Sequence, residues 1–246
     1  MLNALFHISE YFNYVINSTT RHGLHSPFVY DFADHVLYQP SPISFEFIEN
    51  QRLELINSNR NFINTSLKKY TLSWVLSAKY GKLLQRMMAY YQPRNIDIWG
   101  PNTGIELNYA LAQNATDLSK FPKITNYAED RSVADITLNR FLEFSNGMEQ
   151  FETSQRFPVD ESYTDWIIIH QLEDQDAFWQ LYEQAIKKAH QNTMMIITNI
   201  RHSDNQYISW KQLTHLPHVT ASIELYQLGI LCFRKEQFQQ NFILRY

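Results

Sequence analysis

The stretch Asn95-Ile96-Asp97-Ile98-Trp99-Gly100-Pro101-Asn102-Thr103-Gly104 reads as a short apolar strand running into a glycine-marked turn, with a helix expected over 104–115. The chain of 246 residues has only 6 glycines, and two of them stand here four residues apart. A glycine keeps its place where a side chain would obstruct the backbone. Gly100 would let a ligand approach closely, and Gly104 would open the helix with its amide end toward a polar or anionic group. The spacing is Gly-x-x-x-Gly rather than Gly-x-Gly-x-x-Gly, and no aspartate ends the next expected strand, so a nicotinamide cofactor is disfavoured.

Downstream of this stretch, short apolar runs alternate with helical ones. Strands are expected at 95–99, 124–128, near 148–152, at 166–170 and at 193–198, and helices at 104–115, 131–144, 175–190 and 205–215. Such alternation calls for a largely parallel sheet covered by helices on both faces. The runs 219–225 and 229–234, separated by a short turn, predict an antiparallel hairpin, giving five parallel strands plus a hairpin. In an α/β sheet of this kind ligands bind outside the C-terminal strand ends, which makes the 100–104 turn the candidate ligand loop.

Upstream the pattern is helical. Residues 4–17 are amphipathic, Ser26-Pro27 offers a helix start leading into 28–37, and 44–59 and 66–91 follow, the last with Leu83, Leu84, Met87 and Met88 as its apolar stripe. The expected organisation is a helical extension or cap over 1–92 and an α/β domain over 93–246.

Composition narrows the function. Hydrophobic residues make up 44% and charged residues 19%, enough apolar side chains for a packed interior. The formal net charge is -4 and no Lys/Arg run appears, so nucleic acid is not an expected partner. Asn3, His7, Glu10 and Asn13 interrupt the N-terminal apolar residues, so neither a signal peptide nor a membrane span is read there, and a cytoplasmic location is the expectation. The lone Cys232 lies in the apolar run Gly229-Ile230-Leu231-Cys232-Phe233 and reads as a small buried hydrophobe.

Three segments and the glycine loop carry a resemblance. Arg21-His22-Gly23-Leu24-His25-Ser26-Pro27-Phe28-Val29-Tyr30-Asp31, Leu83-Leu84-Gln85-Arg86-Met87 and the ending Gln239-Gln240-Asn241-Phe242-Ile243-Leu244-Arg245-Tyr246 resemble a group of small class I S-adenosylmethionine-dependent methyltransferase-like proteins common in Bacteroidetes. The resemblance implies a Rossmann-like class I methyltransferase fold and S-adenosylmethionine as cofactor. The expected cofactor residues are Asp97, Trp99, Gly100, Asn102, Gly104 and Glu129, with Asp97 and Glu129 one residue from the positions where the resembling proteins carry acids, and His170 is the candidate general base because a histidine titrates in a suitable range. A homodimer is a further implication of the resembling fold.

The chain departs from that family where ligands would be held. Ile98 stands at the acid two positions before the first glycine, with Asp97 beside it, and Ala128 stands at the ribose-binding acid, followed by Glu129. His170 takes the place of the aspartate ending the fourth strand, and Thr198-Asn199 that of the paired aspartate ending the fifth. Related enzymes use such acids to hold a divalent metal that lowers a substrate hydroxyl pKa; without them no metal is predicted. Trp99 either lines an adenosine pocket or fills it. The expected function is that of a methyltransferase-like protein with reduced or lost activity; the alternative is a non-catalytic binding or scaffold protein that keeps the fold and engages an unidentified small-molecule or protein partner.

Overall fold

The computed structural model describes residues 2–58, 75–112, 121–127, 139, 151–154, 162–170, 174–235 and 238–246. In chain order the elements are α1 (Leu2–Asn17), a 3-10 turn (Arg21–Gly23), α2 (Pro27–Phe32) continued by a π-helical segment (Ala33–Leu37), α3 (Glu46–Ser58), α4 (Ala78–Tyr91), β1 (Asn95–Trp99), α5 (Ile105–Leu111), β2 (Lys123–Tyr127) and β3 (Phe151–Ser154). Then come β4 (Trp166–His170), α6 (Gln175–Ala185) with a 3-10 turn (Ile186–Lys188), β5 (Met194–Thr198), α7 (Asp204–Leu213), β6 (Ala221–Glu224), β7 (Leu228–Cys232) and β8 (Gln240–Ile243). The chain divides into two compact units, Met1–Gln39 with Asp160–Tyr246, and Pro40–Val159.

In the unit Pro40–Val159, β1 lies beside β2 and β2 beside β3, all parallel, with Ile98 opposite Asn126 and Trp99 opposite Tyr127. Parallel strands need crossover connections, and α5 leaves β1 directly through the glycine turn. Every residue of α5 is buried. Helix α4 presses against it so closely that a Cβ on Gly81 would come 2.5 Å from Tyr109 Cδ2, which explains a glycine in mid-helix. The buried Leu83, Leu84, Met87 and Met88 form the stripe expected of α4. That helix begins later than the periodicity predicts: Val75, Leu76 and Ser77 lie outside it, Ser77 being the N-cap, and 66–74 fall outside the described residues.

In the other unit, β4 and β5 pair in parallel and every residue of both is buried, which is why each reads as an unbroken apolar run rather than an alternating one. The expected hairpin is present: β6 and β7 are antiparallel, and β7 adds antiparallel to β5. Asp174 caps α6 by accepting from Ala177 N–H at 3.1 Å, and Ser203 caps α7 by accepting from Gln206 N–H at 3.4 Å. Cys232 is buried, and burial raises its thiol pKa to about 12, as suits a small core residue.

Strand β8, parallel to β6, was not among the expected strands. Its residues Gln240 and Asn241 are exposed, so the segment lacks the apolar alternation that marks a strand. Two other expected elements end early or escape description. The helix expected over 104–115 closes as α5 at Leu111, and the helix expected over 131–144 lies outside the described residues apart from Asn139, which is helical. Among the described residues no helix is long and apolar enough to cross a membrane.

Candidate functional site

The loop after β1 is held in a conformation that glycine alone adopts readily. Gly100 has φ 87° and Gly104 φ 76°, both in the left-handed region. Gly100 N–H donates to Tyr127 O at 3.1 Å, which ties the turn to the end of β2.

Asn102, between the two glycines, is the brace. Its Nδ2 donates to Gly100 O at 3.2 Å and to Asn126 Oδ1 of β2 at 2.9 Å, while its Oδ1 accepts from Gly104 N–H at 3.1 Å. One amide at the mouth of α5 is therefore already taken by the protein itself. Glu106, buried in the first turn of α5, accepts from Thr103 Oγ1 and from Leu76 N–H at 3.4 Å, so the segment before α4 is pinned to the helix that leaves the loop.

Among the sequence-assigned cofactor residues, the structure gathers Asp97, Trp99, Gly100, Asn102 and Gly104 at β1 and its loop. Asp97 is buried within β1, and neighbouring residues of a strand point to opposite faces, so it does not share the face of Ile98. Ile98 stands beside Asn126, and neither is acidic. Trp99 is fully buried and packs on Tyr127, ring centroids 4.2 Å apart at 30°. Glu129, with Ala128, lies outside the described residues.

His170 belongs to the other unit. It ends β4 opposite Thr198 of β5, whose Oγ1 lies 3.1 Å from its Nδ1. Burial disfavours the imidazolium and pushes the pKa of the ring down to about 3. At neutral pH it is uncharged and a poor proton acceptor, whereas a general base is effective with a pKa near the working pH. Among the described residues no group of three or more His, Cys, Asp or Glu converges to hold a metal.

Asn126 carries no signal in the sequence. It is fully buried, and its Nδ2 has no hydrogen-bond partner among the described residues. A single asparagine inside a strand matches no motif, and its contact with Asn102 spans 24 positions. The orphaned amide and the two left-handed glycines fit an adenosine-type cofactor with acceptor atoms; the apolar Ile98 offers nothing to an ammonium group.

Solved structures share this architecture, O-methyltransferases among them. The O-methyltransferase from Bacillus cereus in complex with SAH has TM-score 0.55 and 16% identity, covering 78% of this chain and 93% of its own. Cofactor-bound Rv0187 from MTB has TM-score 0.57 and 14% identity, covering 87% and 99%. The O-methyltransferase TomG from Streptomyces achromogenes, involved in tomaymycin synthesis and in complex with SAM, has TM-score 0.55 and 14% identity, covering 76% and 89%. No protein-family model matches the chain, and no curated protein matches it significantly. The chain has the Rossmann-like α/β fold of class I methyltransferases, with a mixed sheet and helical extensions.

Proposed function

We propose that this protein binds S-adenosylmethionine over the 100–104 loop and that its methyl transfer is reduced or lost. The observation that carries the reading is the loop: two left-handed glycines clipped to β2 through Asn102, in a chain with the methyltransferase fold. Gly100 and Gly104 would give the ligand close access to the backbone, Asp97 and Trp99 would stand behind it, and Glu129 would serve the ribose.

The bound cofactor supplies an electrophilic methyl group, and in-line transfer asks the protein chiefly for alignment. Acid–base help is weak here, because the buried His170 holds a proton poorly. Thr198 and Asn199 are neutral, whereas magnesium prefers hard, anionic oxygen ligands. Activity that depends on a metal-activated hydroxyl is the part most reduced in this reading.

One observation favours a second reading, a scaffold that keeps the fold without the cofactor. Trp99 is fully buried against Tyr127, as a side chain that fills the adenosine position would be. Filter binding of tritiated S-adenosylmethionine, with and without EDTA, separates the two. Saturable retention in the micromolar range that EDTA leaves unchanged supports the first reading. Folded protein that retains nothing at millimolar ligand leaves the scaffold.

A further inference from the structure

The carboxamide of Asn126 has one arm engaged and one open. Its Oδ1 accepts from Asn102 Nδ2 at 2.9 Å, while its Nδ2 has no partner among the described residues and the whole residue is 0% exposed. Turning the amide over would not relieve this, because it would set two NH2 groups against each other. Asn102 cannot turn over either: its Oδ1 receives Gly104 N–H and its Nδ2 donates to Gly100 O, so both of its arms are dictated by the loop backbone. The result is a one-way relay in which Gly104 N–H fixes Asn102, Asn102 fixes Asn126, and the donor of Asn126 is left open.

A buried donor without an acceptor has lost its water and gained no bond in exchange, so an acceptor that reaches it is favoured. Ile98, the register partner of Asn126, brings no acceptor on its side chain. The open donor stands near the C-terminal end of β2, next to the glycine loop, where sheets of this type bind ligands. Being neutral and donor-only, the open arm suits a hydroxyl oxygen, a ring nitrogen or a carboxylate, and not an ammonium.

We propose that Asn126 is a ligand-binding residue whose Nδ2–H, aimed by Asn102, donates to an acceptor atom of the S-adenosyl ligand seated over the loop. The proposal rests on the cofactor reading above and adds to it the residue on β2 that the ligand touches.

The test follows the Asn126 side-chain NH2 resonances in 15N-labelled full-length protein during titration with S-adenosylhomocysteine, beside binding constants for wild type and Asn126→Asp. That variant keeps an oxygen for Asn102 and removes the donor. One proton of the pair is expected to move downfield and saturate with the binding isotherm, and the variant to bind about ten-fold more weakly, as expected for one buried hydrogen bond. If Asn126→Asp does not fold, the wild-type pair, assigned through its own β-carbon, still decides the matter. Wild type that binds with the pair unmoved, as when an ordered water already occupies the arm, overturns the role of Asn126 and leaves the cofactor reading intact. Wild type that binds no S-adenosylhomocysteine overturns both.

Discussion

Arg201 and Glu224 form a buried ion pair between the segment after β5 and strand β6. The same guanidinium donates from Nε to Glu10 Oε2 of α1 at 3.3 Å and from Nη2 to Tyr207 OH at 2.9 Å, and it lies 4.1 Å from the centre of the Tyr207 ring. Trp210 Nε1–H donates to Glu224 Oε2 at 2.7 Å, so both carboxylate oxygens are used. One side chain thus ties the N-terminal helix to the C-terminal strands of its unit.

Removing that cation strands a buried carboxylate. Arg201→Met is expected to lower stability by about 3–5 kcal/mol, since breaking one side of a buried pair leaves the other charge uncompensated. Arg201→Met combined with Glu224→Gln should recover much of the loss. Urea titration followed by tryptophan fluorescence checks both, and a loss below about 1 kcal/mol in the single variant would contradict the arrangement.

Asn102→Ala deletes the brace of the glycine loop. The side chain makes three of the hydrogen bonds described here, to Gly100, Gly104 and Asn126. At about 1 kcal/mol net for each, the variant should lose roughly 2–3 kcal/mol. Its amide exchange should rise at Gly104 and stay unchanged in the unit containing β4 and β5. Exchange that rises equally across both units would speak against a local brace.

Gly81→Ala sets two effects against each other. Helix propensity favours alanine by about 1 kcal/mol, whereas overpacking a core costs about 1–3 kcal/mol. With the new Cβ 2.5 Å from the Tyr109 ring, overpacking wins and net destabilisation is expected in thermal melts. A stabilised variant would show that α4 and α5 can separate without cost.

His170 gives the fold a share of its acid sensitivity. Its folded pKa is depressed to about 3 from 6.5, so the unfolded chain binds the extra proton between these values. Its contribution is complete above pH 6.5 and is lost as pH falls toward 3, about 5 kcal/mol at the extreme, with a slope of about 1.4 kcal/mol per pH unit. The pH dependence of stability from pH 6 to 4, read from urea titrations, is expected to be shallower by about one proton in His170→Gln than in wild type. Equal slopes would place the wild-type ring in contact with water.

Legibility of the fold followed apolar continuity. Strands β1 and β4 match the expected 95–99 and 166–170 residue for residue, β4 because it is a nearly unbroken apolar run and β1 because Ile96, Ile98 and Trp99 run directly into the glycine turn. Strand β8 was invisible because its side chains stay partly in water and only its backbone pairing with β6 defines it. Periodicity does not mark the start of α4, because Val75 and Leu76 continue the apolar pattern while a tertiary bond, Leu76 N–H to the buried Glu106, serves the backbone outside the helix. At the candidate site the glycines were readable as punctuation, but the relay from Gly104 through Asn102 to Asn126 was not, since it joins residues with no shared motif. The burial that neutralises His170 is likewise a property of packing, and a polar residue at a strand end gives no hint of it.

The most direct test of the central claim is isothermal titration calorimetry of ligand-stripped, folded protein with S-adenosylhomocysteine. One saturable site in the micromolar range, lost or strongly weakened by Gly104→Val and unchanged by magnesium, is the result expected of a cofactor seated on the 100–104 loop. Absence of binding heat and of thermal stabilisation at millimolar ligand would contradict it and leave a methyltransferase fold that works without its cofactor.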